Sequence, residues 1–362
     1  MRLPQLAEGR QPVTGLTVEE LTRLLGSRVR ALAALRWLVD RPPPATLPER
    51  VEGIAASAWN DLRAAAGLPV WKVAHRAVAA DGTIKYAVEL DGATVETVLI
   101  PAPGRSTVCV SSQAGCSRDC AFCATAKIGF MRQLAAGEIV LQYLLARQDA
   151  PAGAPARNVV FMGMGEPMDN LDEVLRAVQV LTQEPAPRLG AAHITVSTSG
   201  VLPGMKRFLA ECRANLALSL NGTTDEQRGS IMPQTKRWPI LALLDALRDD
   251  AATGSGRRYF MEYVLLAGVN DADDDARRLC ELLADLPAHV NLIPHNPFEG
   301  SPLRPPDDAR VARFRDLVHA GGVRCLVRWP RGRDIAAACG QLALRTGSGS
   351  GERPVAEPDP IA

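Results

Sequence analysis

From about residue 106 onward, short apolar runs alternate with longer segments of helical periodicity, and this alternation constrains the fold more than any other feature of the chain. The apolar runs predict strands at Thr107–Val110, Asn158–Met162, His193–Ser197, Asn215–Leu220, Tyr259–Leu266, His289–Pro294 and Val323–Trp329. Between most of them, helices are predicted at Ala136–Arg147, Leu171–Leu181, Pro239–Asp249, Asp273–Leu283 and Asp307–Ala320. Strands that alternate with helices pair in parallel through crossover connections. We therefore expect an α/β fold, a partial (β/α)6 barrel, whose functional site lies at the carboxyl ends of the strands.

The first 95 residues follow a different pattern. Apolar residues at helical spacing predict helices, and short apolar runs around Asp81-Gly82 and Asp91-Gly92 predict strands joined by tight turns. The helices are predicted at Thr17–Leu25 and Arg28–Val39, and the strands at Val70–Val73, Tyr86–Leu90 and Val95–Ile100. The end of the chain is rich in Gly, Ser, Pro and Glu, a composition typical of disorder. We expect a small, helical N-terminal accessory module at residues 1–95, the barrel at 96–345 and a disordered tail at 346–362.

The formal net charge of +1 neither requires nor excludes a nucleic-acid partner. A protein that coats RNA is usually more basic, whereas an enzyme can contact RNA through one local patch. No apolar run reaches the roughly 20 residues that a membrane-spanning helix needs. Met1–Arg10 also lacks the apolar segment of a secretory signal. We therefore expect a cytoplasmic protein that does not contact a membrane.

Three of the eight cysteines, Cys116, Cys120 and Cys123, lie close together after the first predicted barrel strand. Three thiolates at this spacing can bind one face of a [4Fe–4S] cluster and leave the fourth iron free to chelate S-adenosylmethionine (SAM). An electron from such a cluster splits a carbon–sulfur bond of SAM and yields a 5′-deoxyadenosyl radical. The alternatives are a structural zinc site, which usually has four ligands in paired knuckles, and cysteines that only pack in the core. No second cysteine pair lies nearby, so the spacing favours the cluster.

Further motifs accompany the cysteine triplet along the chain. They are Cys109-Val-Ser-Ser-Gln-Ala-Gly-Cys116, Ile128-Gly129-Phe130, Met162-Gly-Met-Gly-Glu-Pro167, Ser197-Thr-Ser-Gly200, Asn291-Leu-Ile-Pro-His-Asn-Pro297 and Arg331-Gly-Arg-Asp-Ile-Ala-Ala-Ala-Cys-Gly-Gln341. With these motifs, the chain resembles the radical-SAM rRNA and tRNA adenine methyltransferases of the RlmN/Cfr type, and most closely the RlmN branch. The resemblance extends from about Glu96 to Leu342, and the helical N-terminal module also resembles the accessory domain of that family.

The resemblance implies methylation of an RNA adenosine at C2, with two SAM molecules consumed per turnover. The family's targets are adenosine 2503 of 23S rRNA and, for some members, adenosine 37 of tRNA. By position, Cys339 would take a methyl group from the first SAM, and the radical from the second would remove a hydrogen from that group so that it adds to the adenine. Cys109 would then attack the sulfur, form a transient disulfide with Cys339 and release the base, and Glu96 matches the proton acceptor. An RNA substrate and a reducing donor such as flavodoxin are the implied partners.

The resemblance also implies a set of SAM contacts at strand ends. They are Gly165, Glu166, Ser197, Ser219, Leu220, Asn221 and Asn296. A serine or an asparagine at a strand end can instead cap a helix, and Gly165-Glu166 can be a simple turn before Pro167. Two positions depart from the family pattern, since Asn221 replaces the usual His and His295 replaces a frequent Trp. We expect these departures to affect the choice of RNA more than the chemistry.

Several alternatives remain open from sequence alone. Cys109 could be a core residue on a strand, and Cys339 could be a neighbour of a helix cap. The closest rival activity is methylation of the same adenosine at C8, which the resistance-conferring branch performs. Two rivals of another class are a binding protein that has lost catalysis and a zinc-dependent RNA-binding module. Basic residues that could contact RNA phosphates are Arg118, Lys127, Arg132, Lys236, Arg237, Arg328, Arg331 and Arg333.

Overall fold

The structure, a computed structural model, describes residues 11–184 and 187–343, so the predicted tail at 346–362 lies outside the described residues. The strands are β1 (Gln11–Pro12), β2 (Ala66–Gly67), β3 (Trp71–Val78), β4 (Ile84–Leu90), β5 (Ala93–Ala102), β6 (Arg105–Cys109), β7 (Gln113–Gly115), β8 (Phe130–Gln133), β9 (Ala156–Phe161), β10 (Ile194–Thr198), β11 (Asn215–Ser219), β12 (Tyr259–Leu265), β13 (Ala288–Pro294) and β14 (Cys325–Val327). The α-helices are α1 (Val18–Leu25), α2 (Arg28–Val39), α3 (Ala56–Ala65), α4 (Ala136–Ala146), α5 (Leu171–Thr182), α6 (Leu202–Glu211), α7 (Asp225–Ile231), α8 (Ile240–Ala252), α9 (Asp273–Leu283) and α10 (Asp308–Ala320).

One ten-stranded sheet forms the centre of the molecule. Its order is β14-β13-β12-β11-β10-β9-β6-β5-β4-β3, and every pair from β6 to β14 is parallel. At least one helix lies between each parallel strand and the next along the chain. The predicted α/β class and partial (β/α)6 barrel are therefore confirmed, and the carboxyl ends of the parallel strands share one edge.

The parallel strands and their helices pack as their sequences require. Strand β11 is almost wholly buried, as expected for a barrel strand with helices on its outer face and the barrel interior on the other. Helix α5 turns Val174, Ala177, Val178 and Leu181 into the core, at the three- and four-residue spacing of one helical face. Full burial of each valine or leucine of this face contributes about 1.5–3 kcal/mol, which favours packing of the helix on the sheet.

The N-terminal strands extend the barrel sheet. Antiparallel β3, β4 and β5 join it through β5 and β6, and the boundary expected between residues 95 and 96 falls within β5. Helix α1 begins with a capping box between Thr17 and Glu20, and Glu20 also forms an ion pair with Arg176 of α5. A Cβ added at Gly15 would lie 2.6 Å from the Gly137 nitrogen at the start of α4. The first helices therefore pack directly on the helical layer of the barrel.

Several elements were not predicted individually. These are helices α3, α6 and α7, the two-residue strands β1 and β2, and the hairpin of β7 and β8, which pair in an antiparallel manner. The hairpin carries the predicted cysteine triplet at its tip and therefore matters for the site. Within the described ranges, no helix is both long enough and apolar enough to cross a membrane.

Candidate active site

A cleft with an empty volume of about 920 Å³, its open mouth included, lies at the carboxyl ends of the parallel strands. Most residues predicted for the site line it, namely Cys116, Cys120, Cys123, Gly165, Glu166, Ser197, Ser219, Asn296 and Cys339. The predicted residues Glu96, Cys109, Leu220 and Asn221 are buried outside its lining. The fold therefore brings together segments from five separate motifs, as strand ends of a parallel sheet should.

The loop with the three cysteines is closed by the β7–β8 hairpin. The Cys116 amide donates to the Gly129 carbonyl at 3.0 Å. Gly115 has φ of +76°, and a Cβ there would lie 1.7 Å from the Gly129 oxygen. Only glycine permits this approach of the two backbone segments, because no side chain can occupy that space. The closure fixes the backbone next to the first cysteine.

The far side of the same loop is attached to two later segments. The Ala121 amide donates to the Ile231 carbonyl at 2.9 Å, and the Ala124 amide donates to the Gly340 carbonyl at 2.7 Å. Gly340 directly follows Cys339. The cysteine loop and the Cys339 segment are therefore joined by a backbone hydrogen bond.

The arrangement of the cysteines indicates which kind of metal centre they can hold. In residues 11–184 and 187–343, no group of three or more His, Cys, Asp or Glu side chains is arranged to hold one metal ion. The thiols of Cys116, Cys120 and Cys123 nevertheless line one cleft. In a cubane each thiolate binds a different iron, so the three sulfurs stand farther apart than around one zinc. Three thiols that line one cleft are therefore a donor set that fits a [4Fe–4S] cluster.

Burial controls the protonation of these thiols. It raises the pKa of Cys116 to about 12 and that of Cys120 higher still. The side-chain amide nitrogen of Gln234 donates to the Cys120 sulfur at 3.8 Å, which favours the thiolate only slightly. Because iron binds the thiolate, loading of the site must release protons.

Glu166 is a buried carboxylate whose oxygens are largely occupied. It accepts hydrogen bonds from the Met168 amide at 3.0 Å, the Ser199 amide at 2.7 Å and the Ser199 hydroxyl at 2.6 Å. Burial raises its pKa, although the Ser199 donors oppose this effect. Gly165 has φ of +103°, and a Cβ there would lie 2.5 Å from the Cβ of Gln113. Ser199 was not predicted, although it lies within the Ser197-Thr-Ser-Gly200 motif.

Asn221 supports the cleft wall from behind. It has a left-handed backbone with φ of +54°, and its side-chain oxygen accepts from the Val264 amide at 2.8 Å. Its amide nitrogen donates to the Met232 sulfur at 3.3 Å. Val264 and Met232 line the cleft, whereas Leu220 is fully buried and donates from its amide to the Glu262 carbonyl at 3.0 Å. The departure at Asn221 therefore has a structural explanation, because Asn tolerates the left-handed region and caps a strand amide.

Two polar residues after β13 face the cleft with unsatisfied atoms. The Asn296 amide nitrogen donates to the Cys339 carbonyl at 3.1 Å. The Asn296 side-chain oxygen and His295 Nε2 are buried and have no partner in the part of the chain that the structure describes. Burial lowers the pKa of His295 to about 4, so its imidazole is neutral. Buried polar atoms are normally hydrogen-bonded, so this wall fits a polar ligand such as SAM.

Cys109 and Cys339 are free thiols in neighbouring positions. Cys109 ends β6, and burial together with the charge of Cys339 raises its pKa to about 12. Cys339 is accessible to solvent at the cleft, yet protein surrounds its sulfur. Burial and the negative charge of Glu262 raise the pKa of Cys339 to about 11. Both sulfurs are therefore protonated at neutral pH.

Glu96 forms a buried ion pair instead of lining the cleft. Its carboxylate lies 3.0 Å from Lys85 Nζ, and the two side chains are 1% and 2% exposed. Lys85 also donates to the Ala336 carbonyl at 3.2 Å. Ala336 precedes Cys339 by three residues, so Lys85 connects Glu96 to the Cys339 segment. Lys85 was not predicted as a site residue, because its role depends on this contact with a distant segment.

Glu262 is a second cleft residue that the sequence did not single out. It lies on β12, and its Oε1 accepts a hydrogen bond from the side-chain amide nitrogen of Asn291 at 2.7 Å. The Asn291 side-chain oxygen in turn accepts from Arg328 Nε at 2.8 Å. Burial raises the pKa of Glu262 to about 7, with Arg328 opposing the shift. The available signal was a single acidic residue within an otherwise apolar strand.

The predicted RNA-contacting residues fall into two groups. Arg118, Arg132 and Arg331 are engaged in ion pairs with Asp169, Glu138 and Asp81 respectively. Lys236, Arg237 and Arg333 are exposed, Arg237 lies over the Trp238 ring, and Lys127 is exposed near Asp119. Arg328 is also engaged, because it donates a hydrogen bond to the side-chain oxygen of Asn291. The exposed group is the better source of phosphate contacts.

Comparisons with known proteins agree with this geometry. Residues 110–280 match the Radical SAM superfamily. A probable RNA methyltransferase of Sorangium cellulosum is 45% identical over 341 residues, which cover 90% of this chain and 85% of that protein. The dual-specificity RNA methyltransferase RlmN of Geobacter sulfurreducens is 42% identical over 335 residues, which cover 91% of each chain. The crystal structure of a radical SAM methyltransferase from Sphaerobacter thermophilus has a TM-score of 0.84 at 39% identity, covering 92% of this chain and 99% of that one.

Proposed function

The chain belongs to the RlmN-type radical-SAM RNA methyltransferases, and from this premise we propose that its product is an adenosine methylated at C2. It is a SAM-dependent enzyme that methylates RNA by a radical mechanism. The proposed target is adenosine 2503 of 23S rRNA. Adenosine 37 of tRNA is proposed as a second target, since the Geobacter sulfurreducens relative is named a dual-specificity enzyme. Both RNAs imply action in the cytoplasm.

The observation that carries the proposal is that the three clustered thiols and Cys339 line the same cleft. Cys116, Cys120 and Cys123 would hold the [4Fe–4S] cluster that the family requires. The residues proposed to surround SAM are Gly165, Glu166, Ser197, Ser219 and Asn296. Leu220 and Asn221 are proposed to support this set, through the backbone of Glu262 and of Val264. When bound, the cluster and SAM supply a methyl group and, after reduction, a 5′-deoxyadenosyl radical.

The chain's own residues have three proposed roles. Cys339 accepts the methyl group of one SAM and presents it to the adenine, while a second SAM provides the radical. Cys109 would bond to the Cys339 sulfur as the bond from that sulfur to the carbon on the adenine breaks, so that a transient disulfide forms and the methylated base is released. Of the two electrons lost, one would be taken up by the 5′-deoxyadenosyl radical and one by the cluster, and the donor would later reduce the disulfide. The proximity of the two free thiols supports this role. Glu96 accepts the proton that leaves the adenine ring. An ion pair with Lys85 holds its carboxylate in place.

The remaining parts of the chain serve the RNA and the supply of electrons. Residues 1–95 are proposed as the accessory module, with α1 to α3 as its helical part, and residues 96–345 as the catalytic barrel. A reduced flavodoxin is the proposed electron donor. The exposed residues Lys127, Lys236, Arg237 and Arg333 are proposed to contact RNA phosphates.

The test is anaerobic turnover of the reconstituted enzyme on unmethylated 23S rRNA, with nucleoside mass spectrometry against 2-methyladenosine and 8-methyladenosine. We expect 2-methyladenosine from the wild type and none from Cys339→Ala. Cys280→Ala removes a half-buried thiol outside the cleft and serves as the matched control. 8-Methyladenosine would move the protein to the other branch of the family, and product from Cys339→Ala would refute the thiol carrier.

A further inference from the structure

Methylation of Cys339 requires an acceptor for the thiol proton. A thiol becomes nucleophilic when it loses its proton, and the pKa of Cys339, about 11, keeps it protonated at neutral pH. The amino and carboxylate groups of SAM are expected to bind the free iron of the cluster, so neither is available as the base. The acceptor must therefore come from the protein, within hydrogen-bonding reach of the sulfur or one water molecule away.

The acidic side chains of the cleft leave one suitable acceptor. Of the described residues that line it, the carboxylates are Glu166 and Glu262. Glu166 already accepts three hydrogen bonds from Met168 and Ser199. His295 is a poor base, because burial lowers its pKa to about 4.

Glu262 has the geometry of an oriented base. The side-chain nitrogen of Asn291 donates a hydrogen bond to Glu262 Oε1 at 2.7 Å. Arg328 Nε donates in turn to the side-chain oxygen of Asn291 at 2.8 Å. The side chain is 7% exposed, and this exposure is to the cleft that Cys339 also lines. Where a nucleophile is activated, the base beside it is itself oriented by a further group, as Asn291 orients Glu262.

We propose that Glu262 accepts the proton of the Cys339 thiol when that thiol is methylated. The inference rests on the proposed role of Cys339 as methyl carrier. In this step the Cys339 sulfur forms a bond to the methyl carbon while the bond from that carbon to the sulfonium breaks. The thiol proton moves to Glu262, and the products are S-methylcysteine, S-adenosylhomocysteine and a neutral carboxylic acid. No electron enters or leaves.

The charges around Glu262 determine the pH dependence. Arg328 faces it from the loop after β14, Cys339 from the C-terminal segment, and Glu166 and His295 lie elsewhere on the cleft wall. Glu262 can accept a proton only when ionised, and its pKa is about 7. The rate of Cys339 methylation should therefore rise with pH through about 7 and then level off.

The first experiment measures whether the carboxylate faces the thiol. Cluster-loaded, SAM-free enzyme is treated anaerobically with iodoacetamide over a pH series, and carboxamidomethylation of the Cys339 peptide is followed by mass spectrometry. The Glu262 charge raises the pKa of Cys339, so Glu262→Gln should shift the alkylation profile to lower pH and accelerate alkylation near neutrality. Glu281→Gln, an exposed glutamate on α9, should leave the profile unchanged. An unshifted profile in Glu262→Gln overturns the proposal.

The second experiment measures methylation itself, without RNA or reductant. Enzyme whose Cys339 is verified by mass as a free thiol is reconstituted and given SAM, and S-methylation of Cys339 is timed. Glu262→Gln should be methylated at least about 100-fold more slowly than wild type, although it is alkylated faster, and should lose the rise through pH 7. Glu262→Asp keeps a carboxylate and should keep that rise. A purely structural role would not move the two reactions in opposite directions.

The outcomes separate this inference from the proposed function. If wild-type Cys339 is never methylated, the carrier role fails and the inference fails with it. If wild type is methylated and Glu262→Gln matches it in rate and pH profile, only the inference fails. SAM binding, measured as the change that SAM causes in the electron paramagnetic resonance spectrum of the reduced cluster, must be retained in Glu262→Gln. Loss of binding would place the effect in affinity and refute proton transfer.

Discussion

Individual residues of the cleft are constrained mainly by backbone conformation and by buried hydrogen bonds. Gly165 combines a left-handed φ with close contact to Gln113, and Asn221 combines a left-handed φ with a hydrogen bond to Val264. In both cases the residue type follows from the turn that directs a strand end into the cleft. Glu166, which follows Gly165, is held in place by Ser199.

Gly165→Ala should therefore lower the free energy of unfolding by more than the strain of an alanine at positive φ alone would. An alanine at positive φ costs roughly 1 kcal/mol, and the added Cβ must also displace Gln113. Gly104 provides the matched control, since it has φ of +74° with no atom within 4 Å of an added Cβ. We expect urea unfolding to show a loss of about 1 kcal/mol for Gly104→Ala, a larger loss for Gly165→Ala, and weaker SAM binding only for the latter. Equal losses would indicate that the contact with Gln113 is relieved without cost.

The sequence predicted much of the site at this scale, and the limits have a physical cause. The cluster cysteines, Cys339 and Glu166 lie in compact motifs, and the fold places all of them on the cleft. Glu262 and Lys85 lie outside those motifs, and their importance depends on contacts with Asn291 and Ala336 that only the folded chain creates.

Among the secondary-structure elements, the β7–β8 hairpin most directly determines the cluster site. It was missed because it is short and irregular, with a register shift between Ala114 and Gly115. The longer elements were predicted well, and α2 and α9 have the predicted bounds. Helix α6 contains Pro and Gly, which hide its periodicity, and helix α7 has only seven residues. The joining of β3–β5 to the barrel sheet is a non-local pairing that sequence patterns do not report.

Gly115→Ala should impair cluster assembly through this hairpin. Its Cβ would lie 1.7 Å from the Gly129 oxygen, so the two backbone segments must separate. The hydrogen bond from the Cys116 amide to the Gly129 carbonyl must then lengthen or break. Gly129 has a similar φ of +77°, but a Cβ added there would meet no atom within 4 Å, so Gly129→Ala is the matched control. After anaerobic reconstitution, we expect Gly115→Ala to hold clearly less iron per chain than the wild type and Gly129→Ala to hold nearly as much as the wild type. Full iron content in both variants would show that hairpin closure is not needed.

At the scale of the whole molecule, the N-terminal strands hold the segment that carries Cys339. Asp81, in the turn between β3 and β4, accepts from Arg331 Nε at 2.8 Å and from the Gly332 amide at 3.1 Å. The Ala80 amide donates to Asp334 at 2.9 Å. The Lys85–Glu96 pair adds a buried link to the same segment. The β3–β4 hairpin therefore contacts the segment that carries Cys339.

Lys85→Met should destabilise the protein because it leaves the Glu96 carboxylate buried without its ion-pair partner. Loss of one member of a buried pair costs about 3–5 kcal/mol. Adding Glu96→Gln removes the charge and should restore part of that loss, so the double mutant is more stable than the sum of the two single losses predicts. Urea unfolding of the four proteins in a double-mutant cycle measures the coupling. Strict additivity would contradict the energetic importance of the pair.

The central claim is that the methyl group reaches RNA through Cys339, and one isotope experiment tests it most directly. Cys339 is first methylated from trideuteromethyl SAM, excess reagent is removed, and the enzyme is then reduced with unlabelled SAM and RNA for a single turnover. The account predicts that the first equivalent of methylated adenosine carries deuterium that came from Cys339. Unlabelled product, with the label still on Cys339, would contradict it.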